Sequence, residues 1–445
     1  MVLAEGVEVD LGPLGRAWVS SLLGQGGQGY VYEVRRSTGE PLALKWYKPD
    51  SATAVQYDEM QRLVEIGSPH LRFLWPLSMA RVAAMPSFGY VMQLRDPRYL
   101  ELSYLLLNRD PDGHPLEVSF GAVFELCRQL AYSFLRLHAR GLCYRDISFG
   151  NVFFNPTTGD VLICDNDNVG VDDGTGRVLG TPYFMAPEVV RDLTYRTLPS
   201  TDTDRHSLAV LMFYALFLGH PLEGARTDHG LRDAAWLMTH FGTDPVFCLH
   251  PDRADNRPSP IVRQYWDLYP PFLRDLFVQA FVDGLADPGA RVTEGQWVKA
   301  MDRLRDSMLT CPTCRMTNFW SADTPTVRCW QDGTELRPDY LLAVGRRTLA
   351  VGPQTVLRAD HLVTGIDQPT VLGVVEQHPE RADRWGLRNA SAYSWAVTFA
   401  EGQSFLLQPG RTMELVDGAR IQVRDATVRV RRGGAAPMWV GAEEE

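Results

Sequence analysis

One stretch of this chain narrows the folds open to it more than any other: GLCYRDISFGNVFF, Gly141 to Phe154. An aspartate, Asp146, stands five residues before an asparagine, Asn151. The pair lies between a helical run, FGAVFELCRQLAYSFLRLHARG, whose apolar residues recur at spacings of three and four, and the apolar strand NVFF. The first 95 residues read as strands and turns interrupted by one helical stretch, VQYDEMQRLVEIG. From about Phe120 the pattern is helical, and after Leu309 short alternating strands with the turn signals VGP, EGQ, QPG and VDG predict a β-rich tail. At 445 residues the chain is too long for one compact core of typical size, so several folded units are expected.

Charge excludes some partners. The formal charge is −10, from 44 Lys and Arg against 54 Asp and Glu, with no dense basic run, which disfavours nucleic acid and anionic membrane surfaces. The start, MVLAEGVEVD, is unlike a secretory signal. The longest apolar run, Leu208 to Leu218, falls short of the roughly 20 residues of a membrane helix, so a buried helix in a cytoplasmic protein is expected. Cys127, Cys143, Cys164 and Cys248 sit alone in largely apolar surroundings and read as reduced, buried thiols, whereas Cys311, Cys314 and Cys329 cluster.

The stretch LLGQGGQGYVYEV places Gly24, Gly26 and Gly29 at G-x-G-x-x-G spacing, with Val31 two residues on. Glycines let backbone N–H groups approach phosphate oxygens, although the same pattern suits a plain hairpin. Its strand-turn-strand setting argues against a dinucleotide-binding βαβ unit. Fourteen residues beyond Val31 comes Lys45, ending LALK, a cation suited to α- and β-phosphates. The following helix offers Glu59 as its partner, with Glu65 second; the alternative is a solvated surface pair worth little.

Tyr144-Arg145-Asp146-Ile147-Ser148-Phe149-Gly150-Asn151 resembles the protein kinase loop H-R-D-L-x-x-x-N in every spacing, with Tyr144 in place of the histidine and Ser148 in place of a γ-phosphate-contacting lysine. In ICDNDNVG, Ile163 to Gly170, an apolar strand ends in Asp165, where kinases carry Asp-Phe-Gly, so that Asn166 and Asp167 replace phenylalanine and glycine. GTPYFMAPE, Gly180 to Glu188, resembles the segment that closes the activation loop; DTDRHSLAVLMF places Asp204 and Ser207; and DPGAR places Arg291 to pair with Glu188. From about Leu14 to Leu309 the chain resembles eukaryotic-like Ser/Thr protein kinases, and within them the bacterial kinases of tellurium-resistance-type clusters.

The resemblance implies ATP and magnesium, or manganese, as cofactors. It casts Asp146 as the group that orients the substrate hydroxyl, Asn151 and Asp165 as magnesium ligands, Lys45 as the phosphate cation and Thr181 as the contact of Asp146 that favours Ser/Thr substrates. Around the nucleotide it places Gly24, Gly26, Gly29, Val31, Ala43, Lys45, Glu59, Met92, Gln93, Leu94 and Phe153, Glu59 being preferred because it stands ten residues before Pro69. Asn166 is expected to find a hydrogen-bond partner near the Tyr144 hydroxyl, and Asp167 to be a solvated turn aspartate, with assistance to a metal as the alternative. Arg145 would seek a negative charge in the loop, from Asp172, Asp173 or a phosphorylated Thr175. Protein substrates, a role in stress signalling, a PP2C-like phosphatase and a von Willebrand A domain protein are implied as context.

In the tail, Cys311, Cys314, Cys329 and Asp332 have the spacing of a zinc ribbon with a carboxylate as fourth ligand, or of a degenerate, metal-free knuckle. Trp385 to Val423 resembles the last strands of an FHA-like β-sandwich. Arg346 and His361 could belong to a phosphothreonine site, although Arg358 stands where a serine is expected, and packing against the kinase or a partner is the alternative. The expected architecture is α+β: a bilobal protein kinase fold with an N-lobe over 1–95 and a C-lobe over 96–309, a zinc-ribbon-like knuckle over 310–338, an FHA-like all-β sandwich over 339–433 and an acidic tail over 434–445. The expected function is an active Ser/Thr kinase, with a nucleotide-binding pseudokinase scaffold as the alternative.

Overall fold

Period-two patterning makes the first part of the chain a sheet closed on itself. In β2 (Arg16–Gln25) and β3 (Gly29–Arg36), Ala17, Val19, Tyr32 and Val34 turn inward while their neighbours are exposed or half-buried. With β1 (Glu8–Asp10), β4 (Pro41–Tyr47), β5 (Ser78–Arg81) and β6 (Phe88–Gln93) they form a closed barrel in the order β1-β2-β3-β4-β6-β5, sealed where Asp10 pairs with Arg81. Closure removes the sheet edges that β1 and β5 would otherwise expose. The computed structural model describes residues 2–171, 180–192, 197–353, 355–363, 365–367, 369–381 and 383–433. The proposed charge partners and phosphorylation site of Arg145, namely Asp172, Asp173 and Thr175, and the acidic tail over 434–445, lie outside those residues.

The α-helix of the barrel region, α1 (Ala54–Ile66), starts where the Thr53 hydroxyl accepts the Gln56 N–H, and it buries Met60 and Leu63. Beyond the barrel the chain is helical. Phe120–His138 is capped by Ser119, and Thr201–Phe217 by a reciprocal Ser200–Thr203 box. The apolar run Leu208 to Leu218 falls almost wholly within the latter helix, buried on nearly all sides. Among the described residues no helix is long and apolar enough to cross a membrane.

The chain divides into two compact units: Met1–Arg263 with Leu276–Val298, and Gln264–Asp275 with the residues from Lys299 onward. The division therefore does not fall at the expected boundary of 309. Charge pairing explains why the residues just before 309 belong to the second unit. Asp306 accepts from Arg347 at 2.6 Å and meets His361 at 3.0 Å, and Arg305 donates to Asp360 at 2.9 Å, all with side chains largely buried.

Two short hairpins follow, Met308–Thr310 with Thr317–Phe319 and Val327–Arg328 with Glu335–Leu336. Then come two antiparallel sheets, one of six strands and one of four. Leu342, Trp395, Ile421 and Val428 of the first and Leu357, Val375 and Leu387 of the second share one buried core. That is a sandwich, and its strands show the alternation read in the sequence, as in Arg420–Val423 with only Ile421 and Val423 buried.

Candidate active site

The glycine loop joins β2 and β3. A side chain at Gly24, Gly26 or Gly27 would meet nothing within 4 Å, whereas a Cβ at Gly29 would lie 2.6 Å from the Trp46 carbonyl oxygen. Gly29 is thus required by the close approach of β3 to β4, and the other three leave their backbone uncovered. Lys48 donates to the Gly26 and Gly27 carbonyls at 2.7 and 3.1 Å, a tether not foreseen from the sequence.

Strand register gathers the expected nucleotide contacts. Val31 pairs with Lys45 and Ala43 with Met92, so that Val31, Ala43 and Met92 sit on three adjacent strands. Gln93 ends β6 exposed, and Leu94 is half-buried. Phe153, on Val152–Phe154, lies under the Arg95 guanidinium, 4.2 Å from its ring centre.

Lys45 is buried and takes its partners from the triplet rather than from α1. Its ammonium pairs with Asp165 and, at 2.7 Å, with Asp167. Glu59 is exposed and forms no ion pair with Lys45 among the described residues, which corrects the expected pairing. The physical reason is burial: a lysine taken out of water requires a carboxylate taken out with it, and Asp167 has no side-chain exposure at all. Asp167 is therefore not a solvated turn residue. Its carboxylate also accepts the Tyr47 hydroxyl at 2.7 Å, and Gln56 of α1 donates to that hydroxyl at 3.3 Å. Burial and the neighbouring Asp167 hold the Asp165 carboxyl above its usual range; at Asp167 burial is outweighed by Lys45, which holds it below.

Asn166 is fully buried and donates to the carbonyls of Leu74 at 2.9 Å and Ile163 at 3.3 Å. The expected bond to Tyr144 is not made. Tyr144, also fully buried, instead donates its hydroxyl to the Cys164 carbonyl, the residue before Asp165, and packs its ring edge-on to Phe134. Each replacement side chain thus has backbone acceptors of its own, Leu74 and Ile163 for Asn166 and Cys164 for Tyr144.

Around Asp146 the geometry is close. Thr181 donates to it at 2.6 Å, and the Asn151 amide donates to its carbonyl at 2.8 Å and its carboxylate at 3.2 Å. The Asn151 side-chain oxygen and the half-exposed Asp165 carboxylate are hard oxygen donors of the kind magnesium takes, while the Asn151 main-chain carbonyl accepts the Cys164 N–H at 2.9 Å. Arg145 and Asp165 both hold positive φ, 73° and 53°, conformations that persist only where surroundings impose them. Asp204 imposes the first, accepting the N–H groups of Tyr144 at 2.5 Å and Arg145 at 2.9 Å.

His138 locks Asp204 in turn, bridging it at 3.0 Å and Glu294 at 2.8 Å. Burial alone would push the imidazolium down, but the hydrogen bonds to Asp204 and Glu294 prevail and raise it to about 9. A folded value above the unfolded one means a contribution that is complete below about pH 6.5 and lost as pH rises through about 9. Glu294 has the opposite sign: burial is outweighed by His138, the carboxyl falls to about 2, and its contribution is lost only as pH falls from about 4.5 through about 2. Thermal unfolding should therefore show a wild-type advantage over His138→Gln on the order of 3 kcal/mol near pH 6, shrinking to little by pH 10. A pH-independent difference would refute the protonated bridge.

Cys311, Cys314, Cys329 and Asp332 bring their ligand atoms within 4.8 Å of one another. Sγ of Cys314 and Cys329 are 3.5 Å apart, and Cys311 Sγ is 3.5 Å from Asp332 Oδ2, near the edge of about 3.8 Å of a tetrahedral zinc–thiolate site. The Cys311–Cys314 and Cys329–Asp332 pairs sit on the same kind of knuckle, with Arg315 N–H returning to the Cys311 carbonyl at 3.0 Å and Gly333 N–H to the Cys329 carbonyl at 2.8 Å. In the sandwich, His361 is spent on Asp306 and on the Arg358 N–H at 2.9 Å, whereas Arg346 is exposed. A shared phosphothreonine site of Arg346 and His361 is accordingly not formed, because His361 serves the Asp306 network.

A glycine-turned barrel with a buried lysine, joined to a helical region that presents Asp146, Asn151 and Asp165, defines the protein kinase domain, and residues 18–239 match the family model of that description. The chain is 27% identical over 220 residues to the serine/threonine-protein kinase PknA of Mycobacterium tuberculosis, covering 47% of this chain and 48% of that one. It is 25% identical over 311 residues to the protein kinase YegI of Escherichia coli O157:H7, covering 66% and 46%, and 32% identical over 203 residues to glycogen synthase kinase 1 of Pyricularia oryzae, covering 39% and 49%. The chain spans about half the length of the curated relatives it matches.

Proposed function

We propose that the chain is an ATP- and magnesium-dependent kinase that phosphorylates serine and threonine hydroxyls of proteins, its own among them. The observation that carries this reading is the grouping of Asp146 with Thr181 at 2.6 Å and Asn151 at 3.2 Å. Asp146 would accept the proton of a substrate hydroxyl as that oxygen bonds to the γ-phosphorus, the β–γ bridging bond breaks and ADP leaves. Lys45 and the glycine loop would hold the phosphates. Bound magnesium, held by Asn151 and Asp165, would neutralise charge on the β- and γ-oxygens. Ser148 supplies no cation, so slower chemistry than in kinases with lysine there is expected. Incubation with γ-labelled MgATP tests the reading: label entering the chain or an added protein supports it, and bound nucleotide without transfer supports the pseudokinase scaffold.

The cysteine knuckles support a structural zinc site in the same protein. Purified protein should carry about one zinc per chain, lost in Cys314→Ala with lowered stability of the tail. Elemental analysis that finds no zinc in protein produced with ample metal would refute this. Resemblance alone supports the placement in bacterial stress signalling and the phosphatase and von Willebrand A partners, and the reading of a cytoplasmic location rests on a longest apolar run too short for a membrane helix. The sandwich is read as an FHA-like binding module whose ligand does not use His361.

A further inference from the structure

A catalytic lysine must be held at a fixed point while the carboxylate beside it serves a metal. One carboxylate cannot stay fully committed to both. In this chain Lys45 has two, and they differ in exposure: the Asp165 side chain is 38% exposed and that of Asp167 is 0% exposed. Of the two, Asp165 is the one whose carboxylate reaches solvent. Asp167 is enclosed, 2.7 Å from Lys45 and 2.7 Å from the Tyr47 hydroxyl, and Tyr47 lies two residues after Lys45 on β4, on the same side of the strand. Gln56 of α1 reaches both the Tyr47 hydroxyl, at 3.3 Å, and the Asp167 carbonyl, at 3.5 Å. One residue earlier, the Asn166 amide pins the backbone to the Leu74 carbonyl at 2.9 Å. Glu59, the carboxylate of α1 that the kinase resemblance assigns to Lys45, is exposed.

We infer that Asp167 is the positioning residue of Lys45 in this chain, taking the place of the helix carboxylate Glu59 and leaving Asp165 free for magnesium. The inference rests on the kinase reading for its catalytic meaning but not for its geometry. The replacement of glycine by aspartate at the third position of the triplet is then a gain of function: it moves the anchor of the lysine from a helix to the strand end that already carries the metal ligand. Asn166 and Tyr47 are parts of the same device, one fixing the backbone and the other the carboxylate.

The test compares Asp167→Asn, Tyr47→Phe and Glu59→Gln. Asp167→Asn keeps the shape and removes the charge. Affinity for ATP measured by calorimetry in EDTA should fall about 10- to 100-fold, the range for loss of a charge-assisted contact, with a similar fall in kcat/KM when magnesium is restored. Tyr47→Phe should move both quantities the same way by a smaller factor, and it serves if Asp167→Asn fails to fold. Glu59→Gln should show the smallest loss of the three. Wild-type affinity in Asp167→Asn, or a larger loss in Glu59→Gln than in Asp167→Asn, would overturn the inference. A wild-type chain that binds ATP in EDTA but transfers no phosphate would overturn the kinase reading alone, and weakened binding in Asp167→Asn would still support this one.

Discussion

Asp146→Asn is expected to lower phosphate transfer by about 10²- to 10⁴-fold while leaving the affinity for ATP within about twofold. The substitution keeps the side-chain shape and an acceptor for the Thr181 hydroxyl, which stands 2.6 Å away, but removes the basic oxygen that would take the substrate proton. Lys45, the glycine loop and Asp165 are untouched, so ground-state binding should survive. Single-turnover rates at saturating ATP, set beside the dissociation constant, separate the two effects. Transfer at wild-type rate would show that Asp146 is not the group that handles the hydroxyl.

Glu188→Ala should be the most destabilising single change in the first compact unit, at about 3–5 kcal/mol. Arg291 meets Glu188 through two parallel bonds of 2.8 and 2.7 Å, and its own side chain is almost fully enclosed, donating further to the carbonyls of Asp202 and Gly284. Removing the carboxylate strands a guanidinium in a site from which it cannot reach water. Calorimetry should show a fall in the melting transition of roughly 10 °C. Double replacement, Glu188→Gln with Arg291→Met, should recover much of the loss, since it removes the buried charge along with its partner. A loss below about 1 kcal/mol would mean that the segment before the helix Pro187–Val190 yields enough to hydrate Arg291.

Part of the site was legible because it depends on short-range spacing. Asp146 and Asn151 are five residues apart on one loop, and their mutual bonds are local. Cys311, Cys314, Cys329 and Asp332 likewise occupy two short knuckles whose turns set the spacing. The partner of Lys45 was not legible in that way. Glu59 and Asp167 are both carboxylates that a kinase-like pattern could offer, and choosing between them depends on which one is enclosed. Period-two alternation did carry a hint, since Tyr47 follows Lys45 on the same face of β4, and a buried tyrosine hydroxyl needs an acceptor. The same limitation applies to His361, whose sequence neighbourhood suggests a ligand site but whose imidazole is consumed by Asp306, 55 residues away.

Residue order alone determined the succession of strands, helices and strands, the loop that carries Asp146, the glycine turn over Lys45 and the sandwich-forming alternation of the tail. Each of these follows from periodicity or from contacts a few residues apart, where the chain itself limits the choices. Tertiary structure decided the partners of the buried charges. Lys45 and Asp165, and Tyr47 and Asp167, are each separated by 120 residues, and at that distance chain connectivity imposes almost no preference among carboxylates. Burial then selects. A charge removed from water is tolerated only beside an opposite charge removed with it, and the closing of the barrel region over the triplet encloses Asp167 while leaving Glu59 in solvent.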